Sequence, residues 1–158
     1  MPAIIAKGVT RPDMPTVVQQ YRVASESSTS TTSGSYVPMG GMTITVSPQI
    51  NCGAIVMFSG QCQQYSELKG YVTMGIALYL DGNRIAQTLL SPYATLDLSG
   101  DRPLIYVSTQ NATLIHGIPS LSAGSHTFQM YMRGATDVFG GAGIAFSQRA
   151  MQVILFYR

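Results

Sequence analysis

The most constraining stretch of the sequence is YVTMGIALYLDGNRIAQTLL, Tyr71 to Leu90. Val72, Met74, Ile76, Leu78 and Leu80 occupy alternate positions, with Tyr71, Thr73, Gly75, Ala77 and Tyr79 between them. A period of two is the repeat of a strand that buries one face, and a helix cannot present those positions on a single side. Asp81-Gly82-Asn83 then supplies residues that tolerate positive φ, so the chain reverses tightly and returns through Arg84 to Leu90 as an antiparallel partner. Leu78 is expected to face Ile85 on the buried side. A lone hairpin is marginal in water, so other segments must provide sheet neighbours and a second apolar layer. A β-sandwich meets that demand.

The rest of the chain repeats the pattern at short intervals. Val17 to Ala24 reads as a strand; Met42, Ile44 and Val46 alternate with Thr43, Thr45 and Ser47; Ala54 to Ser59 is apolar on both faces, as in a central or interface strand. Thr95 to Leu98 and Leu104 to Val107 read as weak strands, and Ala112 to Ile118 as a further one. In His126 to Arg133, His126, Phe128, Met130 and Met132 oppose Thr127, Gln129, Tyr131 and Arg133. The last strand, from Arg149 to Arg158, puts Met151, Val153, Leu155 and Tyr157 on one face and Ile154 and Phe156 on the other, so both faces want cover. Ser25 to Ser35, Gln61 to Gly70, Pro119 to Gly124 and Gly134 to Gly143 have the composition of loops and turns. No segment carries a helical pattern. The expected fold class is therefore all-β, an antiparallel β-sandwich of the jelly-roll type with an extended N-terminal arm.

The 158 residues fit one domain, large enough to bury roughly 70% of the unfolded surface. Residues 1–35 are expected to form an N-terminal arm or strand and a Ser/Thr-rich linker, and residues 36–158 the jelly roll. Pro2, Pro12 and Pro15 disfavour a helix in the arm, leaving either a segment docked on a partner or an ordinary first strand. The Ser/Thr tract marks either a boundary or only a long surface loop.

Composition narrows the function. Apolar residues make up 46% of the chain but charged residues only 10%, against the ~25% of an average soluble domain. Such a surface suits a protein largely covered by neighbours; the alternative is a soluble domain kept in solution by its hydroxyl and amide groups. The nine basic residues are scattered singly, so nucleic acid is not an expected partner. No run approaches the ~20 apolar residues of a membrane span, and the first residues lack the apolar centre of a secretion signal. A chain made and used without export is the expectation. Cys52 and Cys62 flank one strand, whose straight ends would stand roughly 30 Å apart at ~3.3 Å per residue, so two free thiols are expected.

The segments ALYLDGNRIAQT, LSAGSHTFQMYMR and RAMQVILF together resemble the small trimeric jelly rolls of the C1q and tumour-necrosis-factor type, particularly those in virion proteins of tailed bacteriophages. In that family a strand, an Asp-Gly turn and a second strand are followed by a Leu-x-x-Gly-x-His unit before the last strand. The resemblance covers roughly residues 42–156. It implies a homotrimer without enzymatic activity, displayed on a virion as a capsid decoration or spike protein, with other virion proteins such as the major capsid protein as partners. The arm, through Ile4, Ile5, Val9 and Met14, would be the anchor. Ile154, Phe156 and Tyr131 are the expected oligomer-interface residues. The alternative is the receptor- or carbohydrate-binding head of a tail fibre, using Tyr65, Tyr71, Tyr79, Tyr93 and Tyr131 as an aromatic surface.

Chemistry-bearing motifs are missing. His116 and His126 lie in strand patterns, where a satisfied structural histidine is the ordinary case. Asp81, Asp97, Asp101 and Asp137 sit in or beside turns, where Asx hydrogen bonding accounts for them better than a calcium site. The tract from Phe139 to Gly143 lacks the Lys-Ser/Thr of a phosphate cradle. No catalytic residue, metal or cofactor is expected. The nine methionines read as core filler, Met74 and Met130 above all.

Overall fold

The computed structural model describes residues 17–66, 74–90, 106–134 and 142–157. They form β1 (Val17–Ser25), β2 (Thr29–Thr31), β3 (Val37–Val46), β4 (Cys52–Ser66), β5 (Met74–Leu80), β6 (Asn83–Leu90), β7 (Tyr106–Leu121), β8 (His126–Arg133) and β9 (Ala142–Tyr157). One sheet has the order β1-β9-β4-β7, with β2 also on β9, and the other the order β3-β8-β5-β6. Every pairing is antiparallel. The pairs are nested: β5–β6 is innermost, β4–β7 encloses it, then β3–β8, then β1–β9. A long hairpin rolled in this way, with alternate pairs assigned to opposite sheets, is a jelly roll. The expected fold class is the one observed.

The core lies between the sheets and follows the alternation. Met42, Ile44 and Val46 of β3, Met74, Ile76 and Leu78 of β5, and Phe128, Met130 and Met132 of β8 meet Ala54, Val56 and Phe58 of β4 and Met151, Val153 and Leu155 of β9. Phe58 and Phe146 meet edge to face with ring centroids 6.0 Å apart. Met74 and Met130 are fully buried, and both cysteines are free and buried.

The innermost hairpin turns on Asp81 and Gly82, whose φ angles of 51° and 81° give the doubly positive turn that matches strand twist. A register shift follows Leu78, which pairs with Ala86 rather than Ile85; Tyr79 pairs with Arg84 and Ile85 is the extra residue.

Four expected loops are partly strand. The expected strand at Val17 to Ala24 is present as β1, and Thr29–Thr31 of the expected Ser25–Ser35 loop forms β2; both pair with β9. The Ser/Thr side chains bury little, but the backbone of residues 29–31 finds a ladder on Ile144–Phe146. Gln61–Ser66 continues β4 because it is paired on both sides, to β7 and β9, while Cys62 and Gln64 take the inward positions. Pro119 lies inside β7 without a break, since β7 edges its sheet and a register shift beside Gly53 needs no Pro119 N–H. The last strand begins at Ala142, earlier than Arg149, so part of the expected Gly134–Gly143 loop is also strand.

The arm residues Ile4, Ile5, Val9 and Met14 lie outside the described residues, as do Thr95–Leu98, Asp97, Asp101, Asp137, Val138, Phe139, Tyr71 and Tyr93.

Candidate functional site

The outer surfaces of the two sheets differ in chemistry. On the β1-β9-β4-β7 sheet, register aligns rows of outward residues: Val18 with Phe156 and Gly53; Gln20 with Ile154, Ile55 and Gly117; Arg22 with Gln152, Met57 and Ile115. Val18, Ile154, Phe156, Ile55, Met57 and Ile115 thus make a contiguous apolar surface. Val18 and Ile115 are 59% and 72% exposed, high values for branched aliphatic side chains within paired strands. The Phe156 ring lies across Gly53 so closely that a Cβ there would stand 2.0 Å from a ring carbon. A shallow open groove of about 330 Å³ runs over Met57, Ile115, Thr113, Gln152 and Arg22.

The outer surface of the β3-β8-β5-β6 sheet is aromatic and cationic. Gly75 and Ala77 of β5 are its small floor, directly opposite Arg133 and Tyr131 of β8. Tyr36 reaches over Gly75, leaving only 2.8 Å between its hydroxyl and a Cβ built there, so a larger residue would displace the ring. Tyr36 carries two guanidinium groups, Arg84 at 5.5 Å and Arg133 at 5.1 Å from its ring centroid. Tyr79 and Tyr131 stack at 3.9 Å. Leu89, 52% exposed, flanks them opposite Gly75.

A third cluster sits at the rim. The Asp81 carboxylate accepts the Thr127 N–H at 2.8 Å and lies 2.7 Å from Nδ1 of His126. Nε2 of His126 is 3.2 Å from Ser122 Oγ and 3.1 Å from the Ser122 carbonyl. Burial alone would raise the carboxyl's pKa, but the bonds to His126 and Thr127 outweigh it and hold Asp81 below the ordinary aspartate range. The Ser-His-Asp order suggests acyl chemistry, but the next two backbone N–H groups are already committed. Ala123 donates to Asn51 Oδ1 and Gly124 to the Pro48 carbonyl, each at 3.0 Å, so they cannot serve as oxyanion donors. The cluster is a clamp joining the β5–β6 turn, the β7–β8 turn and the start of β8.

Sequence reasoning missed Arg149, which is 2% exposed between the sheets. A bulge at Gln148, φ 48°, sets Gln148 and Arg149 opposite Gly60. The guanidinium donates to the carbonyls of Phe146 (2.8 Å) and Gly40 (3.0 Å), to Ser25 Oγ (3.1 Å) and to the Ser27 carbonyl. It ties β9 to β3 and to the β1–β2 connection, and burial pushes its pKa down. Its parity with Met151, Val153 and Leu155 was a readable sign that it faces inward.

Of the expected interface residues, Ile154 and Phe156 share the apolar surface, whereas Tyr131 is on the opposite outer surface, stacked on Tyr79. Of the expected aromatic set, Tyr79 and Tyr131 stack on each other, and Tyr36, with Arg84 and Arg133 over its ring, lies on the same outer surface.

The chain is thus a jelly-roll protein with one apolar and one aromatic-cationic outer surface. No protein-family profile matches the sequence, and no curated protein is similar to it in sequence. Its structure is similar to part of dimeric latent PorU from Porphyromonas gingivalis, at 11% identity and a TM-score of 0.43, over 97% of this chain and 14% of that one. It is similar to the infectious bursal disease virus VP2 subviral particle, at 10% identity and a TM-score of 0.43, over 98% of this chain and 42% of that one. It is also similar to Eiger TNF from S. frugiperda, at 9% identity and a TM-score of 0.40, over 88% of this chain and 93% of that one.

Proposed function

We propose that this chain is a non-enzymatic structural protein of a virus particle: a homotrimer that decorates a capsid or projects from it as a spike, anchored by residues 1–16. The observation that carries this reading is the contiguous apolar surface of the β1-β9-β4-β7 sheet. Fully burying one large apolar side chain is worth about 1.5–3 kcal/mol, so covering the largely exposed Val18 and Ile115 and the remaining exposed area of Ile55, Met57, Ile154 and Phe156 supplies a few kcal/mol per copy toward the cost of association. The low charge of the sequence points the same way, and a trimer is the state that the resemblance to C1q and tumour-necrosis-factor proteins implies. Phage tail or capsid proteins, the major capsid protein among them, are the partners proposed for the arm.

The test is the native mass of the purified protein, alone and with Ile115→Asp or Ile154→Asp. A charge on this surface should leave the far-ultraviolet circular dichroism unchanged and shift the mass from three chains to one. A wild-type protein that is monomeric at tens of micromolar would refute the assembly.

A further inference from the structure

We propose that the aromatic-cationic surface of the β3-β8-β5-β6 sheet is a binding site for an acidic oligosaccharide, whose carboxylate is held by Arg84 and Arg133. Three observations converge. First, Arg84 and Arg133 are brought to a single ring, that of Tyr36, and neither has a carboxylate partner among the described residues. Two guanidinium groups gathered on one aromatic side chain raise the local positive potential, and an anion bound beside them offsets their mutual repulsion. Arginine's planar fork matches a carboxylate by paired N–H bonds.

Second, the Tyr36 hydroxyl and Nε of Arg133 are sheltered from solvent yet have no hydrogen-bond partner among the described residues. Buried polar groups are ordinarily satisfied, so these two atoms, side by side at a cationic surface, have capacity for a partner from outside. Small shifts of the Tyr36 ring, which rests on glycine rather than on a side chain, would open both atoms to a ligand oxygen.

Third, the stacked Tyr79–Tyr131 pair stands beside the cations on the same outer surface, set there by the Tyr79–Arg84 and Ala77–Tyr131 pairings. Tyrosine offers an apolar ring and a polar tip, which suits a sugar with a C–H face and a hydroxylated edge. An acidic peptide would use the arginines but not the aromatic pair. Nucleic acid would call for further cations along a track, and the described outer residues of these strands carry only these two arginines.

The proposed site faces away from the apolar surface assigned to self-association, so binding does not depend on oligomeric state. The experiment is a titration of the full-length protein with sialyllactose, followed by the amide shifts of β5 and β8. Lactose, a glutamate-rich peptide and inorganic phosphate are run in parallel. Sialyllactose should give saturable shifts that weaken with added salt, while lactose gives none. Arg84→Gln, at an exposed position, should weaken binding at least about tenfold without changing thermal stability, and Tyr131→Ala should weaken it as well. Equal binding of lactose, tighter binding of the peptide or of phosphate, no binding, or an unaffected Arg84→Gln variant would each overturn the proposal. A loss of trimer in the mass measurement, by contrast, would leave this result standing.

Discussion

Asp81 shows how much a single side chain settles here. It begins the innermost turn at a positive φ, accepts the Thr127 N–H near the start of β8 and orients the His126 ring. Its folded pKa is depressed, so its contribution is present above the ordinary aspartate value of 3.8 and is lost as pH falls below that value and through the lower folded one. Acid should therefore lower the wild-type melting temperature across that window, and Asp81→Asn should flatten the profile there. The variant should cost about 1 kcal/mol at neutral pH, a modest figure because the carboxylate is 44% exposed. Denaturant melts at a series of pH values measure both. The sequence announced the turn through Asp-Gly, whereas the Asp81–His126–Ser122 clamp joins residues far apart in the chain, which local pattern does not relate.

At the scale of elements, alternation is a faithful guide wherever one face of a strand is greasy and the other is not. It located β3, β5 and β8 and the inward faces of each. It failed where pairing rather than side-chain character holds the backbone: Gln61–Ser66 is polar yet has strands on both sides, and Thr29–Thr31 buries little yet borrows the ladder of β9. The crossing of β4 and β9 gives a direct test. Gly53→Ala places a methyl group inside the Phe156 ring's position, so the ring must leave its seat. We expect a loss of about 1–2 kcal/mol in denaturant unfolding. Phe156→Leu should relieve most of it, giving a coupling of about 1 kcal/mol in the double-mutant cycle. Additive effects would mean that the ring and the glycine are not in contact.

At the scale of the molecule, the jelly roll could be read from the sequence because one-sided alternation recurs along the chain between stretches of turn chemistry, even though β4, β7 and β9 run 15, 16 and 16 residues. The roles of its two exteriors could not, because outward residues of both sheets mix Tyr, Thr, Gln and aliphatic side chains along each strand. Only register sorts Ile154 and Phe156 from Tyr131. For the arm, deletion of residues 1–16 should leave the melting temperature within a few degrees and the native mass a multiple of the same number of chains. Co-sedimentation with particles should be lost. Retained co-sedimentation would move the anchor to the sandwich itself.

The position of β9 has a temporal consequence. It supplies the hydrogen-bonding partners of β1, β2 and one side of β4, yet it follows all of them in the chain. During synthesis β1 and β2 must wait for their strand partner, and β4 with one side open, until residues 142–157 have emerged. A prematurely terminated chain cannot complete the half of the sandwich that bears the apolar exterior. Truncation before Ala142 therefore leaves β1 and β2 with no strand to pair with and one side of β4 open.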